Sequence, residues 1–335
     1  MCGILGWLGE GINFHYSKFD KAIDILSHRG PDNRGIWQDK DILLGHRRLS
    51  IIDLSESGNQ PMIDKKSGST IIFNGEIYNY LELKRDLISL GYNFHGSSDT
   101  EVLLYSLIEW GPEVLPRLNG MWAFAFWSQK KNQLILSRDR FGVKPLYFYN
   151  FKNNFAFASE PKALLKLFPQ NRSIDENTFL DFLGNNLLYA KGQSFYKGIS
   201  VFPNAHYCIY EPKNKNLKFI RYWDYPKDVR HNQTEKEAIE EFSFLLQDSV
   251  NLRLRSDVPV GLSLSGGLDS TSILAAANLK KKNPINCLTS VYDENFFDEL
   301  KWAKNACLNS KSNLITVKSF GGEITFKKIK DAILM

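Results

Sequence analysis

Short apolar runs broken by turn residues dominate the first roughly two hundred residues, and this pattern predicts a strand-rich α+β unit. Cys2 to Leu8, Ile42 to Leu44, Leu49 to Ile52 and Thr70 to Phe73 read as strands. The last runs into Asn74-Gly75, a hairpin signal, before apolar residues resume at Ile77 and Tyr78. Met121 to Trp127 is densely aromatic and predicts a buried strand paired with Leu134 to Ser137. Such a stripe reads as sheet core ahead of a ligand box. Phe155 to Ala158 and His206 to Tyr210 continue the strand pattern. Helical spacing appears in Phe19 to Leu26, which stops at the turn His28-Arg29-Gly30-Pro31-Asp32, and again in Leu81 to Leu90. Glu101 to Trp110 is a further helix, led by Ser97-Ser98-Asp99-Thr100.

The character changes at Tyr222 to Asn232, a polar stretch with one Pro that reads as a linker. Beyond it, Glu235 to Leu252 is an amphipathic helix and Val258 to Leu264 an apolar strand. Ser265 to Gly267 is a Gly loop, and Asp269 to Lys281 an alanine-rich helix. Strand Ile285 to Tyr292, helix Asp298 to Leu308 and strand Asn313 to Val317 follow. Alternation of this kind implies a parallel sheet with right-handed crossovers. The expected domains are 2–220, a linker 221–234, and 235–335.

Composition changes this picture little. Apolar residues at 43% and charged residues at 24% are those of an ordinary globular protein. A net charge of +5 from scattered basic residues demands no nucleic acid. The run Lys280-Lys281-Lys282 suits the solvated end of a helix better than a phosphate patch. No apolar run is long enough to span a bilayer, and the N-terminus lacks a secretory pattern. Four widely separated cysteines, Cys2, Cys208, Cys287 and Cys307, argue for a reducing cytoplasm and against a disulfide framework or zinc site. His28 and His46 sit beside arginines and read as structural.

The chemistry starts at Cys2. Removal of Met1 would place a free α-amine and a thiol on one residue, so that nucleophile and base arrive together. A small apolar residue opening a strand is the plainer reading of Cys2 alone. Arg48, Asn74-Gly75, Glu76 and Asp99 complete an amino-acid-binding set: a guanidinium for an α-carboxylate, carboxylates for an α-ammonium, and an amide with a backbone N–H for an oxyanion. Taken singly, Arg48 suits a surface ion pair and Asp99 a helix cap. In the second half, Ser265-Gly266-Gly267-Leu268-Asp269-Ser270 joins a strand to a helix without the Gly-Lys-Ser/Thr of a Walker loop. Its glycines and helix N-terminus suit phosphates, its serines add hydroxyl donors, and Asp269 can ligate magnesium.

Together these motifs resemble the class II, N-terminal nucleophile (Ntn) glutamine amidotransferases over roughly residues 2 to 220. The resemblance runs through Cys2-Gly3-Ile4, the Arg29 to Asp32 turn, Arg48 to Asp53, Asn74 to Asn79, Ser98-Asp99 and Arg138 to Tyr147. It implies an Ntn glutaminase sandwich with Cys2 as the nucleophile on the glutamine δ-carbonyl. Asn74 and Gly75 would form the oxyanion hole, Arg48 the carboxylate anchor, and Glu76 and Asp99 the ammonium contacts. The backbone of Leu49, Ser50, Ile51 and Ile52 would line the pocket. Arg29 to Asp32 and Arg138 to Tyr147 read as mainly structural landmarks.

The Ser265 to Ser270 loop resembles that of the adenine nucleotide α-hydrolase-like ATP pyrophosphatases, which implies a partial α/β parallel-sheet domain. ATP contacts would come from Ser263, Leu264, Ser265, Gly266, Gly267, Asp269, Ser270, Ser290 and Val291, with Mg²⁺ on Asp269. The combined layout is that of the glutamine-hydrolysing asparagine synthetase family. There, ammonia released from glutamine attacks an aspartyl adenylate. The implied partners are glutamine, ATP and aspartate, or another carboxylate acceptor such as a sugar acid, with a homodimer as a compatible assembly. The family's downstream Ser-Gly-Glu-Gly-x-Asp-Glu motif and catalytic lysine do not occur, and the sequence stops on Ile333-Leu334-Met335. The expectation is a truncated synthetase half, leaving glutaminase activity or glutamine binding as the narrower alternative.

Overall fold

The computed structural model describes residues 1–9, 15–151, 154–189, 191–213, 216–227, 232–279, 284–291, 299–318 and 326. The chain forms two compact units, Met1–Pro226 and Lys227–Met335. Lys280-Lys281-Lys282 and the terminal Ile333-Leu334-Met335 lie outside the described residues.

In the first unit the elements are β1 (Gly3–Gly9), α1 (Tyr16–Ile23), β2 (Asn33–Asp39), β3 (Ile42–Arg48), β4 (Met62–Ile63) and β5 (Thr70–Ile77). Then come α2 (Tyr80–Ser89), α3 (Asp99–Trp110), β6 (Gly120–Ser128), β7 (Gln133–Arg138), β8 (Tyr147–Phe151) and β9 (Asn154–Ala158). The unit closes with α4 (Pro161–Leu167), α5 (Glu176–Asn185), β10 (Ile199–Val201), β11 (His206–Glu211) and β12 (Asn216–Arg221). Among the described residues the strands form two six-stranded sheets, β10-β8-β9-β1-β3-β2 and β12-β11-β7-β6-β5-β4, every pair antiparallel.

Alternation of side chains sorts the core into three layers. Ile4 and Leu8 of β1, Leu44 of β3, Ile72 of β5 and Ala125 of β6 meet between the sheets. Leu5 and Trp7 point the other way, onto Phe19 and Ile23 of α1 and Leu164 of α4. Ile71 and Phe73 of β5 pack outward against Val102 and Leu103 of α3. Both faces of the central strands are therefore covered, which explains their near-continuous apolar runs. The Met121 to Trp127 stripe is sheet core, paired with β7 in the register Phe124↔Ser137.

Two local expectations fail. Asn74-Gly75 is not a hairpin turn: β5 runs straight through it, with Asn74 opposite Ala123 and Gly75 opposite Trp122. A Cβ at Gly75 would meet the Met121 carbonyl oxygen at 2.2 Å, so the glycine serves close backbone approach. Residues 49–52 are not a strand either. β3 ends at Arg48, and the chain then turns, with Asp53 at φ 57°.

The second unit contains α6 (Glu235–Arg253), β13 (Gly261–Ser263), α7 (Leu268–Asn278), β14 (Asn286–Val291), α8 (Leu300–Ser310) and β15 (Asn313–Lys318). Its sheet is parallel in the order β13-β14-β15, as the strand–helix alternation requires. Thr234 caps α6 in a capping box with Glu237. The first strand is shorter than the apolar run from Val258 suggested. No described helix is long and apolar enough to cross a membrane.

Gly6 faces inward on β1, and a Cβ there would lie 2.0 Å from the ring of Phe157, which is fully buried between the sheets. Gly6→Ala should therefore destabilise the chain by about 1–3 kcal/mol through overpacking. Urea unfolding followed by tryptophan fluorescence measures it, and an unchanged midpoint would contradict the packing described.

Candidate active site

Strand parity brings the site together. β1 and β3 run antiparallel with Gly3 opposite Arg47, so Cys2 and Arg48 meet at one end of the same sheet. On β5, Asn74 shares the inward face of Ile72. His46 joins the two sheets, its Nε2 lying 3.1 Å from the Phe73 carbonyl, and burial pushes its pKa down to about 3. That neutral, fully buried ring is structural, as its neighbours suggested. The result is a pocket of about 360 Å³ whose lining includes Cys2, Arg48, Asn74, Gly75, Glu76, Asp99 and Lys144, a size suited to a small molecule.

The Cys2 Sγ accepts a hydrogen bond from the Leu49 N–H at 3.4 Å and lies 3.6 Å from the Leu49 carbonyl. Burial pushes the thiol up, while the Leu49 bond and the Lys144 charge pull it back. Asn74 is 1% exposed, and among the described residues neither its Nδ2 nor its Oδ1 has a hydrogen-bond partner. A carboxamide in that condition beside a thiol is a donor waiting for an acceptor.

Asp99 opens α3, one residue after the true N-cap Ser98, whose side chain accepts from the Glu101 N–H. Its carboxylate accepts the Ile77 N–H at 2.9 Å and so ties the helix start to the end of β5. Burial raises the Asp99 pKa to about 7, against the pull of that bond, and Glu76 adds a like charge. Arg48 is buried, which overturns the surface-ion-pair reading. Its Nη1 donates to the Ser55 carbonyl at 2.7 Å and Asn59 Oδ1 at 2.9 Å, and its Nη2 to the Asp53 carbonyl. Arg48 thus braces the 52–59 loop while forming part of the pocket wall. Leu49, Ile51 and Ile52 line the pocket; Ser50 does not, and its N–H is bonded to the Asp32 carboxylate at 2.8 Å.

Sequence reasoning passed over Lys144 and Gln60. Gln60 bridges Thr100 Oγ1 and the Phe73 N–H, at 3.1 and 2.6 Å, and lines the same pocket. Lys144 ends the Arg138-Asp139 loop, where a lone basic residue between Val143 and Pro145-Leu146 was the available signal. Arg29 was assigned to a structural turn. Its Nε donates to the Cys2 carbonyl at 2.9 Å, and its Nη1 pairs with Glu160 at 2.9 Å.

In the second unit the Gly loop sits at the carboxyl edge of the parallel sheet, where ligands of such sheets bind. A pocket of about 350 Å³ is lined by Ser263, Leu264, Ser265 and Ser290 together with Leu288, Thr289, Glu299 and Val317. Val291 is not part of that lining: it is the last residue of β14, paired with Lys318. Gly266, Gly267, Asp269 and Ser270 adjoin the pocket without lining it. Gly266 has φ 85°, and a Cβ there would meet the Trp302 Cβ at 2.8 Å. Ser265 Oγ accepts from the Gly267 N–H at 3.3 Å and lies 3.1 Å from Ser270 Oγ, so both hydroxyls face one turn. That loop suits phosphate oxygens at the start of α7. Among the described residues no group of three or more acidic, His or Cys side chains could hold a metal ion. Asp269 alone does not make a magnesium site; an ion there would need further oxygens from a nucleotide and water.

Comparison with known proteins agrees with both halves. The family described as "Glutamine amidotransferase domain" matches residues 1–223, and that described as "Asparagine synthase" matches residues 241–333. "Asparagine synthetase [glutamine-hydrolyzing] 3" of Bacillus subtilis is 38% identical over 303 residues, which are 88% of this chain and 49% of the relative. "Putative asparagine synthetase [glutamine-hydrolyzing] 2" of Methanocaldococcus jannaschii is 37% identical, over 82% of this chain and 56% of its own. The chain thus spans about half the length of the curated relatives it matches. The first family match takes in well over half of the chain, from the Cys2 strand to the end of the second sheet; the chain belongs to the glutamine amidotransferase family, with an asparagine synthase-type segment behind it.

Proposed function

We propose that the first unit hydrolyses glutamine at Cys2, and that the ammonia serves an ATP-dependent amidation in which aspartate becomes asparagine by way of an acyl adenylate. The observation that carries the first step is the buried, unpartnered Asn74 amide beside the Cys2 thiol. The Ser265 to Ser270 loop and the relatives' names support the second.

With Met1 removed, the thiol proton passes to the Cys2 α-amine as Sγ bonds to the δ-carbon of glutamine. The carbonyl electron pair moves onto oxygen, where the Asn74 amide and the Gly75 N–H stabilise it. Collapse breaks the C–N bond, and the α-amine returns its proton to the departing nitrogen, which leaves as ammonia. The amine then takes a proton from water, the hydroxide adds to the thioester, and the S–C bond breaks to give glutamate and the free thiol. Asp99 and Glu76 hold the α-ammonium, and Arg48 stands at the wall for the α-carboxylate. At the loop of the second unit, Ser265, Ser270 and backbone N–H groups would hold the nucleotide phosphates. Mg²⁺, bound through Asp269 and the nucleotide, would neutralise phosphate charge during adenylate formation.

Three outcomes test the proposal. Intact-mass measurement of the purified chain should show loss of Met1, because a Met-blocked amine cannot act as the base; an active preparation that retains Met1 would contradict the mechanism. Cys2→Ala should abolish glutamate release, while Asn74→Ala should lower kcat by about 10²–10³-fold with a smaller change in KM. Wild-type turnover in Cys2→Ala removes the nucleophile assignment, and asparagine and AMP assayed with aspartate, ATP, Mg²⁺ and glutamine report on the second step. The third outcome is pH dependence. A carboxyl titrating at about 7 is protonated below that value and cannot pair with an ammonium. Glutamine affinity of the Cys2→Ala chain, measured by calorimetry, should therefore fall about tenfold for each pH unit below 7 and level off above it. A flat profile from pH 5 to 8 would show that Asp99 is not the ammonium partner.

A further inference from the structure

The Arg138 to Tyr147 segment, read from sequence as a structural landmark, delivers one side chain into the Cys2 pocket. Asp139 is 1% exposed, and its carboxylate accepts four backbone N–H groups: Trp122 at 3.2 Å, Phe141 at 3.0 Å, Val143 at 2.9 Å and Lys144 at 3.0 Å. Arg138 clamps the same loop from its other side. Its Nε donates to the Lys144 carbonyl at 2.7 Å, its Nη2 to the Gly142 carbonyl at 2.8 Å, and its Nη1 to the Phe202 carbonyl at 2.7 Å. The Lys144 backbone is thus held at both its N–H and its carbonyl. The side chain lines the Cys2 pocket and is only 6% exposed. Among the described residues its ammonium has no hydrogen-bond or ion-pair partner. Burying an unpaired ammonium is costly, and a loop so heavily braced to do it implies a use for the charge.

We propose that Lys144 is an electrostatic positioning residue for the amide-hydrolysing reaction at Cys2, supplying a positive charge that makes the thiol a better nucleophile. The inference rests on the glutaminase reading above and deepens it. Arg29 acts on the N-terminal amine ahead of Lys144, but its Nη1 is paired with Glu160 at 2.9 Å, and it is Lys144 that pulls on the Cys2 thiol. The groups that face Lys144 come from several elements: Cys2 and the Met1 amine ahead of β1, Glu76 on β5, Arg29 after α1, and Asp139 in its own loop. Asp99 of α3 and Asp32 act on Cys2 and the amine in the opposite sense. The electrostatics agree with this geometry. The Met1 α-amine next to Cys2 is pushed down by burial, and Arg29 and then Lys144 push it the same way against Cys2, so the positive charge of Lys144 reaches the start of the chain. Lys144 also pulls the buried thiol down. Glu76 in turn favours the charged form of Lys144, whose burial works against it. Removing the ammonium should raise the thiol; neutralising Glu76 should do the reverse.

The test uses the full chain carrying Lys144→Met, Lys144→Arg or Glu76→Gln. Alkylation of Cys2 by iodoacetamide is followed against pH on the N-terminal peptide, a readout that needs no glutamine. Lys144→Met should shift the profile upward by about one pH unit, so that alkylation at neutral pH slows about tenfold. It should also lower kcat for glutamine hydrolysis more than it changes KM, and Lys144→Arg should restore most of both. Glu76→Gln should shift the alkylation profile downward, which keeps the proposal testable if Lys144→Met does not fold. A Lys144→Met profile that overlays the wild type at an unchanged unfolding midpoint would overturn the proposal, as would an arginine variant no better than the methionine one or an unshifted Glu76→Gln profile. A wild-type chain whose Cys2 alkylates as expected but which releases no glutamate would refute the glutaminase reading and leave the role of Lys144 standing.

Discussion

Asn74 carries two polar atoms in the interior of a β-sandwich with nothing among the described residues to bond them. Each buried group left unsatisfied costs about 1–3 kcal/mol. That cost holds only if the amide cannot turn away, and the surrounding structure prevents it. On one side Gln60 accepts the Phe73 N–H at 2.6 Å. On the other, Asp99 accepts the Ile77 N–H at 2.9 Å. The β5–β6 register places Asn74 opposite Ala123, and the crowding around Gly75 forbids a side chain there. The inter-sheet core, the start of α3 and the 52–60 loop all converge on keeping one carboxamide in the pocket that holds one thiol. Preorganised dipoles of this sort need no reorganisation when charge develops.

The same economy governs the charges. Burial pushes the Cys2 thiol up, so whatever favours its thiolate must come from neighbours. The Leu49 N–H supplies a hydrogen bond and Lys144 a cation, and under the proposed mechanism the α-amine freed by loss of Met1 would supply the base. Asp99 and Glu76 form a second, negative lobe of the pocket on the side of α3 and β5. With Arg48 and Lys144 on its lining beside Glu76 and Asp99, the pocket carries charges of both signs, as a zwitterion does.

Much of this was legible in the sequence because the chemistry sits in contiguous motifs. Cys2, Asn74, Gly75 and Asp99 could be named before any geometry, and the structure gathers them in one pocket. The buried hairpin of Met121 to Trp127 with Leu134 to Ser137 was readable because both strands are apolar on both faces. What failed did so for physical reasons. Asn-Gly is a turn signal only where the chain is free to reverse, and here pairing along β6 on one flank holds it extended. The β2 strand was missed because Asn33, Arg34 and Asp39 on an edge strand carry no apolar alternation. Lys144 was missed because its role depends on burial and on the absence of a partner, neither of which a sequence displays. In the second unit the Gly loop was found by pattern, whereas Thr289 and Glu299 enter the pocket only through the β13–β14 register and the start of α8.

The central claim is that Cys2 Sγ forms a covalent bond to the substrate acyl group within the pocket it shares with Asn74 and Asp99. Acid-quenching the chain during glutamine turnover and mapping the adduct by peptide mass spectrometry tests it most directly. The account predicts a γ-glutamyl thioester confined to Cys2, on chains that have lost Met1. Sustained glutamate release with no adduct on Cys2, or with the adduct on Cys208, Cys287 or Cys307, would contradict it.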